Sequence, residues 1–420
     1  MYVGLILPVM VSLVGIYLLI KLRAFYIIRP ISTLKEFCAE LSDRSSRRSF
    51  FLALAGTLGV GNIFGVAAGL MIGGPGSLFW LFISSFFAMI IKYSETLMVI
   101  DAGVKKGGTA ALLKETFGRI GRLISPFYAI LTVLLAFFMG ASMQSVAVVD
   151  VAEKSLGLHP QVSVFILILL LAPAFFGGAK KIESITEILI PMTTIIYIIM
   201  CFSVVLLNFA KVGQVISEII SSAFSFKSAL GGGVSLLMVR EGFARGILSN
   251  EAGVGTSALA HSRSESHSPH TAGLFAMCEV VFDSSILCVL TGVAILTSLP
   301  DISTFSTPMA LVSAAFSNAL GGDFSFILSF LILSFAYSTI ICWYFYGIEL
   351  SRLYFPRCAS CYPVLFITAI LFCIQIPTNL MLCVIDIILF LMSCMTLSAI
   401  IKRSSRIQAI CLSSNRKNPE

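Results

Sequence analysis

The sequence predicts an all-α polytopic membrane protein of about eleven transmembrane helices. Of its 420 residues, 58% are hydrophobic and only 12% are charged, and the mean hydropathy is +0.99. Soluble domains carry about 25% charged residues, so this chain cannot cover a water-facing surface. Its apolar residues fall into runs of roughly 20, the length that crosses a hydrocarbon core of about 30 Å. Composition therefore excludes a soluble enzyme, a disordered protein and a nucleic-acid-binding protein.

The predicted spans follow the apolar runs in chain order. The first is interpreted as a retained span rather than a signal peptide, because it lacks a basic leading region and a small-residue cleavage signature. The 299–324 connection is compatible with an amphipathic helix over the outer mouth and with a plain loop. The eleven spans are expected near residues 1–20, 50–72, 77–100, 124–153, 161–178, 185–209, 230–262, 271–298, 325–350, 362–377 and 379–401.

Lysine and arginine are distributed very unevenly between the two sides of this arrangement. If the loop after the first span is cytoplasmic, alternation places 22 Lys and Arg on the cytoplasmic side and 3 outside. Basic residues in short loops are retained in the cytoplasm. The sequence therefore predicts a multi-pass protein of a bacterial-type inner membrane, with its amino terminus outside and its basic carboxy terminus inside. The net charge of +7 reflects this bias rather than an anionic partner.

Glycine clusters set two of the predicted spans apart. The second span contains GTLGVGNIFG and the seventh contains SNEAGVGTSA, so that GVGN at 59–62 is matched by GVGT at 253–256. Glycine costs about 1 kcal/mol relative to alanine inside a helix, so such clusters indicate unwinding or close helix packing. Matched interrupted spans in the two halves of a transporter indicate a binding site near the membrane midplane. The repeated motif favours a site over tight packing.

The positions of the two glycine-rich spans suggest an internal repeat. The second span is entered from the cytoplasm and the seventh from outside, which gives two five-span units of opposite orientation. The predicted organisation is a first helix with a basic cytoplasmic loop, a first repeat, a second repeat and a basic tail. These segments cover residues 1–49, 50–210, 229–401 and 402–420.

Several strings resemble the alanine/glycine:cation symporters of bacteria and archaea. The strongest matches are GTLGVGNIFGVAAGLMIGGPGSLFW at 56–80 and ARGILSNEAGVGTSALAH at 244–261. Further matches are FDSSILCVLTGVAIL at 282–296 and FAYSTIICWYFYG at 335–347. The resemblance runs in one register from about residue 10 to residue 400. It implies a leucine-transporter-like fold of two inverted five-helix repeats after one extra helix.

The same resemblance implies sodium-driven uptake of alanine or glycine. By that likeness a sodium ion would lie between the second and ninth spans, at Ala55, Leu58, Phe335, Ser338 and Thr339. The partners implied are a small neutral amino acid, Na⁺ and the lipid bilayer, with no further cofactor. The residues implied to line the substrate pocket are Gly59, Gly61, Asn62, Gln144, Gly253, Gly255 and Thr256.

The chain departs from the family pattern at several of its polar positions. Val60 replaces a threonine between the first glycines, Val146 replaces an asparagine in the fourth span, and Leu389 replaces an asparagine in the eleventh. These changes leave open a proton-coupled carrier of another small solute. The shortened loop after the third span leaves open a non-transporting relative. An integral membrane enzyme is not expected, because no nucleophile, base and acid set or HExxH-type string occurs.

Some residues allow a functional and a structural interpretation. Adjacent hydroxyls such as Ser338 and Thr339 often bond to carbonyls one turn earlier, but the broken span predicted opposite them favours an ion site. Trp343 lies one turn after Thr339, where it would either cap the substrate or pack in the core.

Acids at membrane depth are candidates for function, because a buried carboxylate is costly unless it is paired. Glu251 would satisfy free N–H groups at the helix break or tune the cation site. Asp283 would be a hydrogen-bonded structural carboxylate or a proton relay, and Asp386 is expected to be structural. The pair Cys358 and Cys361 lacks the second ligand pair that a zinc site requires.

Overall fold

A computed structural model describes residues 3–104, 106–224, 233–264, 268–322 and 324–417, and these residues form helices joined by short turns, with no strand among them. The predicted start of the second repeat at residue 229 lies outside this described part of the chain. In chain order the helices are α1 Val3–Lys21, α2 Phe25–Ile28, α3 Pro30–Glu40, α4 Arg44–Thr57, α5 Gly61–Gly73, α6 Gly76–Asp101, α7 Gly108–Leu156, α8 Pro160–Leu207, α9 Phe209–Ala223, α10 Gly233–Asn250, α11 Ala258–His261, α12 Pro269–Ser298, α13 Pro308–Leu320, α14 Phe324–Tyr354, α15 Ala359–Leu371 and α16 Thr378–Lys417.

The described helices confirm a polytopic all-α protein. Six of them are long and apolar enough to cross a membrane, and the bent pair α4 and α5 raises the number to seven. The predicted number of eleven is not reached by this criterion, partly because α1 and α15 are short. A second reason is that α8 has 48 residues, about 72 Å at 1.5 Å per residue, which is enough for two crossings. Gly178, with φ 67° and ψ −171°, interrupts the helical backbone of α8.

Helix starts follow the capping signals in the sequence. The Asp43 carboxylate accepts the N–H of Ser46 at 2.8 Å and so caps α4. Ser268 and Thr307 cap α12 and α13 in the same way, and each is followed by a proline at the first helical position. Such caps satisfy N–H groups that have no partner within the helix. The helix α13 confirms the amphipathic helix that was one of the two interpretations of the 299–324 connection.

Most of the residues predicted as a basic tail, 402–420, belong to the last helix. Helix α16 continues without interruption to Lys417. Arg406 pairs with Asp101 at the end of α6 at 2.9 Å, and Arg403 pairs with Glu115 in α7 at 2.9 Å. These contacts between distant parts of the sequence extend the helix beyond its apolar stretch. Hydropathy alone cannot reveal them.

Three further helices have no counterpart among the predicted spans. Two of them, α2 and α3, lie in the basic connection predicted to be cytoplasmic. The third is α9, whose side chains Val215, Ile219 and Ala223 are buried. Helices α3 and α9 are amphipathic, and neither contains an apolar run long enough to be predicted as a span. Helix α9 packs against α6 and α12, on the side predicted to be outer.

The two broken helices, α4 with α5 and α10 with α11, lie in the interior of the molecule. They pack against α6, α12 and α14, whose side chains are largely buried. Helix α8, in contrast, exposes a row of large apolar side chains, including Phe165, Phe176 and Ile199. The exposed apolar surface is suited to contact with lipid. The buried polar residues lie in the interior, around the broken helices.

Close packing at Gly140 gives a test of this arrangement. A Cβ atom at Gly140 would lie 2.2 Å from the Cβ of Trp343, whereas one at Gly213 in α9 would meet nothing within 4 Å. We expect Gly140→Ala to lower the unfolding temperature, with an overpacking cost of about 1–3 kcal/mol. The matched control Gly213→Ala should leave it unchanged or raise it, because alanine favours a helix. Equal unfolding temperatures for the two variants in a thermal-shift assay would contradict this packing.

Candidate functional site

The first break separates α4 from α5 at Leu58, Gly59 and Val60. In a continued helix the N–H of Gly59 would bond to the carbonyl of Ala55, but here it donates to Thr57 O at 2.9 Å and to Asn62 Oδ1 at 3.2 Å. The helix resumes with the π-helical residues 61–65, and the two segments are bent by 48°. The break therefore releases main-chain carbonyls in the middle of the protein.

One hydroxyl of α14 contacts a carbonyl at this break, and a second hydroxyl lies beside it. The Thr339 hydroxyl lies 3.0 Å from the carbonyl oxygen of Leu58 and 2.9 Å from that of Phe335. The Ser338 hydroxyl lies 2.9 Å from the same Phe335 oxygen. All of these residues are buried. Hard cations prefer such carbonyl and hydroxyl oxygens. The five residues predicted to bind a cation lie on two neighbouring elements, the end of α4 with the break and the middle of α14.

Asp283 joins the two broken helices. Its carboxylate accepts a short hydrogen bond from the Asn62 amide of the first break. It also accepts bonds from Ser249 at 2.8 Å and from Ser284 at 2.7 Å. Asn250, beside the second break, donates to the Ser284 hydroxyl at 3.0 Å. Both oxygens of this buried carboxylate are therefore partnered.

Gln144, one of the residues expected to line the substrate pocket, lies against the first break. Its Oε1 atom accepts the N–H of Val60 at 3.2 Å. A Cβ atom on Gly59 would lie 3.0 Å from Thr339 Oγ1 and 3.1 Å from Gln144 Oε1. A side chain at position 59 would therefore crowd polar atoms from two other helices, which explains the glycine there.

The second break, between α10 and α11, is held by side chains from three other helices. Gly253 and Gly255 have φ of 86° and 87°, a region that only glycine enters at low cost. Glu95 of α6 accepts the N–H of Gly253 at 3.1 Å, and Thr109 of α7 donates to the Gly255 carbonyl at 2.8 Å. The carbonyl of Val254 accepts hydrogen bonds from Tyr128, also of α7, and from Thr396 of α16.

Within the second break, Glu251 and Thr256 form a contact of their own. The Thr256 hydroxyl donates to Glu251 Oε2 at 2.6 Å, while Glu251 Oε1 has no hydrogen-bond partner. Glu251 itself has φ 54°, which is unusual for a residue with a side chain. Among the described contacts, the Glu251 carboxylate therefore accepts from a side-chain hydroxyl and not from a main-chain N–H of the break.

Trp343 packs against the end of α4, next to the first break. Its indole N–H donates to the carbonyl of Gly56 at 3.3 Å, and its ring meets Tyr346 edge-on at 5.5 Å. The side chain is fully buried. This position supports the end of α4, and it favours the packing interpretation of Trp343 over a contact with substrate.

A cavity of about 400 Å³ leads to the first break from the side predicted to be outer. Its lining includes Val60 and Gly61 of the break, Val146, Arg245 and Pro308 of α13. Arg245 pairs with Glu241 at 3.1 Å, and Glu241 also contacts Arg240. Arg240, Glu241 and Arg245 of α10 therefore pair with one another on the side predicted to be outer.

Ion pairs link helices on the opposite side, which is predicted to be cytoplasmic. Arg47 and Arg48 at the start of α4 contact the Glu187 carboxylate at 3.1 and 2.7 Å. Arg263, after α11, pairs with Glu183 in the same region of α8. Both broken helices are thus tied to α8 at this end, where a second cavity of about 410 Å³ lies between Arg48, Glu183 and Arg263.

Comparison with known proteins identifies the fold and the family. The chain is 29% identical over 351 residues to a sodium/alanine symporter of Methanococcus maripaludis, covering 79% of this chain and 77% of that one. It is also 29% identical to a probable sodium/glutamine symporter of Bacillus subtilis, covering 79% and 71%. A profile of the Sodium:alanine symporter family matches residues 1–414. The chain belongs to the sodium:alanine symporter family.

Membership of this family confirms the resemblance drawn from the sequence motifs. The protein is therefore a membrane transporter and not an enzyme. Its fold is shared with a manganese transporter of Eremococcus coleocola, with a TM-score of 0.52 at 16% identity. That structural match covers 88% of this chain and 77% of the other.

The sequence-based prediction missed one group of residues in this transporter. Lys92 and Glu95 in α6 are fully buried and bond directly to the second break, through Ser257 at 3.0 Å and through Gly253. Lys92 also lies 3.9 Å from Glu95 and 3.5 Å from Glu279. The signal was present, because charged residues at membrane depth are costly and mark functional positions.

Loss of the Lys92 charge should destabilise the transporter. We expect Lys92→Met to reduce stability by about 3–5 kcal/mol, because it leaves buried carboxylates without a counter-charge. Adding Glu95→Gln should recover part of the loss, since glutamine can still accept the Gly253 N–H. The exposed Lys154, paired with Asp150 at 2.7 Å, supplies the control Lys154→Met, with an expected loss of about 0–1 kcal/mol. Equal unfolding temperatures for Lys92→Met and Lys154→Met would contradict this assignment.

Proposed function

We propose that this protein is a sodium-coupled symporter that takes a small neutral amino acid, alanine or glycine, into the cell. The observation that carries the proposal is the contact of the Thr339 hydroxyl with the Leu58 carbonyl at the break, 3.0 Å away. The Phe335 carbonyl and the Ser338 hydroxyl lie beside Thr339 on α14. With the Ala55 carbonyl, which the break leaves without its helical N–H, they would supply five oxygens of the types that bind a hard monovalent cation.

The substrate site proposed lies between the two breaks. Free N–H groups where a helix resumes after a break favour a carboxylate, and unwound carbonyls favour an ammonium group. Space at the break is limited beside Gly59 but open beside Gly61, so the small substrate is inferred from the family and not from the volume of the site. Related proteins are described as sodium/alanine and probable sodium/glutamine symporters, and both descriptions support an amino-acid substrate.

In the proposed topology, two inverted five-helix repeats follow α1, with the amino terminus outside and the carboxy terminus in the cytoplasm. The cavity at the first break then opens outward, and the ion pairs of Glu187 and Glu183 close the inner side. Cation and substrate would bind from the cavity and stabilise the state that binds both. Release of the inner ion pairs would then expose the site to the cytoplasm. An inside-negative potential adds about 2.3 kcal/mol per cation per 100 mV.

Proton coupling is the second candidate function. It is favoured by the carboxylate of Asp283, which lies between both helix breaks, and by the incompletely paired Glu251. A pH gradient that drives uptake in the absence of sodium would select this alternative. Binding of an amino acid without flux into vesicles would instead indicate a non-transporting relative.

Thr339 provides the sharpest test of sodium coupling. In proteoliposomes, labelled alanine and glycine should accumulate only when sodium is present outside at fixed pH. Thr339→Val removes one proposed ligand at constant volume and should abolish this sodium dependence. The control Thr368→Val removes an exposed hydroxyl that bonds only within its own helix, and it should transport normally. Unchanged sodium dependence in Thr339→Val would disprove the cation site.

The inner ion pairs allow a separate test of alternating access. We expect Glu187→Gln to weaken the attachment of Arg47 and Arg48 and to favour opening at the inner end of α4. Hydrogen–deuterium exchange of the α4 amides should then increase. Glu153→Gln changes an exposed acid on the opposite side and should leave that exchange unchanged. If exchange in α4 is the same in both variants, Glu187 does not hold the inner side closed.

A further inference from the structure

Helix α7 is bent near its start, and a groove of about 580 Å³ lies at the bend. Gly118, with φ 57° and ψ −115°, departs from helical geometry. It divides α7 into a short segment, 108–117, and a long segment, 119–156. The two segments touch, because a Cβ atom at Gly121 would lie 2.6 Å from the carbonyl oxygens of Leu113 and Lys114. The groove is on the side predicted to be cytoplasmic, and the proposed symport does not use it.

The groove at the bend is basic. Its lining includes Lys114 of the short segment and Arg119 and Arg122 of the long segment, and all three are exposed. Glu115, the acid among the described lining residues, is already paired with Arg403 of α16 at 2.9 Å. Within the described part of the chain, none of the three basic side chains pairs with an acid. The bend therefore presents three positive charges that are available to an anion.

The other cavity on this side has a different balance of charge. Arg48 and Arg263, which line it, are paired with Glu187 and Glu183. The carboxylate of Asp43 also lines that cavity. An added anion would have to compete there with carboxylates that are already in place. The groove at the bend of α7 is therefore the better anion site of the two.

An apolar stripe runs along the long segment of α7 from this groove. Its members recur every three or four residues, so they share one face of the helix. They are the outward-facing side chains Ile120, Leu123, Phe127, Ile130 and Leu134, each at least 36% exposed. Arg119 and Arg122 directly precede the first two members. Positive charges and exposed apolar side chains therefore meet at the same end of the stripe.

We propose that the bend of α7 binds an anionic phospholipid, with its phosphodiester headgroup in the groove and its acyl chains on the apolar stripe. Basic pockets between helices on the cytoplasmic side of membrane proteins bind such headgroups. Two of the three cations are guanidinium groups, whose donors match the geometry of phosphate oxygens. A soluble anion would account for the charges alone, whereas a phospholipid accounts for the charges and for the stripe.

The bound headgroup bridges the two segments of α7. Lys114 precedes the bend at Gly118, and Arg119 and Arg122 follow it, so one phosphate between them contacts both segments. Each segment also bonds to the second helix break, the short one through Thr109 and the long one through Tyr128. A lipid that fixes the angle of the bend therefore stabilises the second break as well.

Native mass spectrometry of the purified full chain tests the binding. The wild type should bind phosphatidylglycerol more tightly than phosphatidylcholine. The double variant Arg119→Gln, Arg122→Gln should bind phosphatidylglycerol about 25-fold more weakly, about fivefold for each charge removed. The control Arg357→Gln changes an exposed arginine on the same predicted side, outside the groove, and should bind normally. Equal affinity for the two lipids, or equal affinity of the wild type and the double variant for phosphatidylglycerol, would overturn the proposal.

Two further measurements separate a lipid site from a site for a free anion. Inorganic phosphate and glycerophosphoglycerol, the headgroup without acyl chains, should not displace phosphatidylglycerol at equal concentration. Displacement by either compound would indicate a soluble-anion site and would reject the lipid. If the double variant is too unstable to purify, Lys114→Gln replaces it, with an expected loss of affinity of about fivefold. Unchanged affinity in Lys114→Gln would then contradict the site.

Hydrogen–deuterium exchange tests whether the lipid holds the bend. In vesicles that contain phosphatidylglycerol, the amides of the short segment of α7 should exchange more slowly than in vesicles of phosphatidylcholine alone. This difference should disappear in the double variant. The same exchange in both kinds of vesicle would reject the stabilisation of the bend, while mass spectrometry still decides whether the lipid binds.

Discussion

The constraint on which this structure depends is that main-chain polar groups inside a bilayer must find their partners within the protein. A regular helix satisfies that requirement by itself, but each of the two breaks leaves groups without a helical partner. Gln144 and Asn62 bond to the first break, and Glu95 and Thr109 bond to the second. The polar residues of this apolar protein are concentrated where the helices are interrupted. The breaks are costly, and the proposed binding sites are placed at them for that reason.

The same constraint explains why the interior is charged at all. A carboxylate such as Glu95 can accept a main-chain N–H more strongly than a neutral group, but it then requires a counter-charge. Lys92 supplies that charge from the same face of α6, one turn away. Asp283 depends instead on three donors, one from the first broken helix and one from the second. Buried charged side chains therefore do two things in this protein. They accept main-chain N–H groups at a break, and they connect the two halves of the chain.

Apolar runs and glycine clusters are local signals, and they predicted the class of fold and the two breaks. The resemblance to the symporter family, rather than a local pattern, indicated Gln144, Asn62 and Thr339, and these three residues lie at the first break. The residues that the sequence did not reveal act across long distances in the chain. Lys92 reaches Ser257, and Arg406 reaches Asp101, through contacts that depend on the packing of separate helices. Hydropathy also could not distinguish the helical extension of α16 from a solvated tail.

The extension of α16 has a mechanical consequence. It bonds to the inner ends of α6 and α7 through Asp101 and Glu115, and Ser404 and Gln408 connect it to Lys21 at the end of α1. Four helices from the beginning, middle and end of the chain are therefore joined on that side. The ends of α4 and α11 are joined to α8 by further ion pairs. Both sets of ion pairs are open to solvent, with the side chain of Arg406 65% exposed and that of Arg48 28% exposed, so added salt should weaken both attachments.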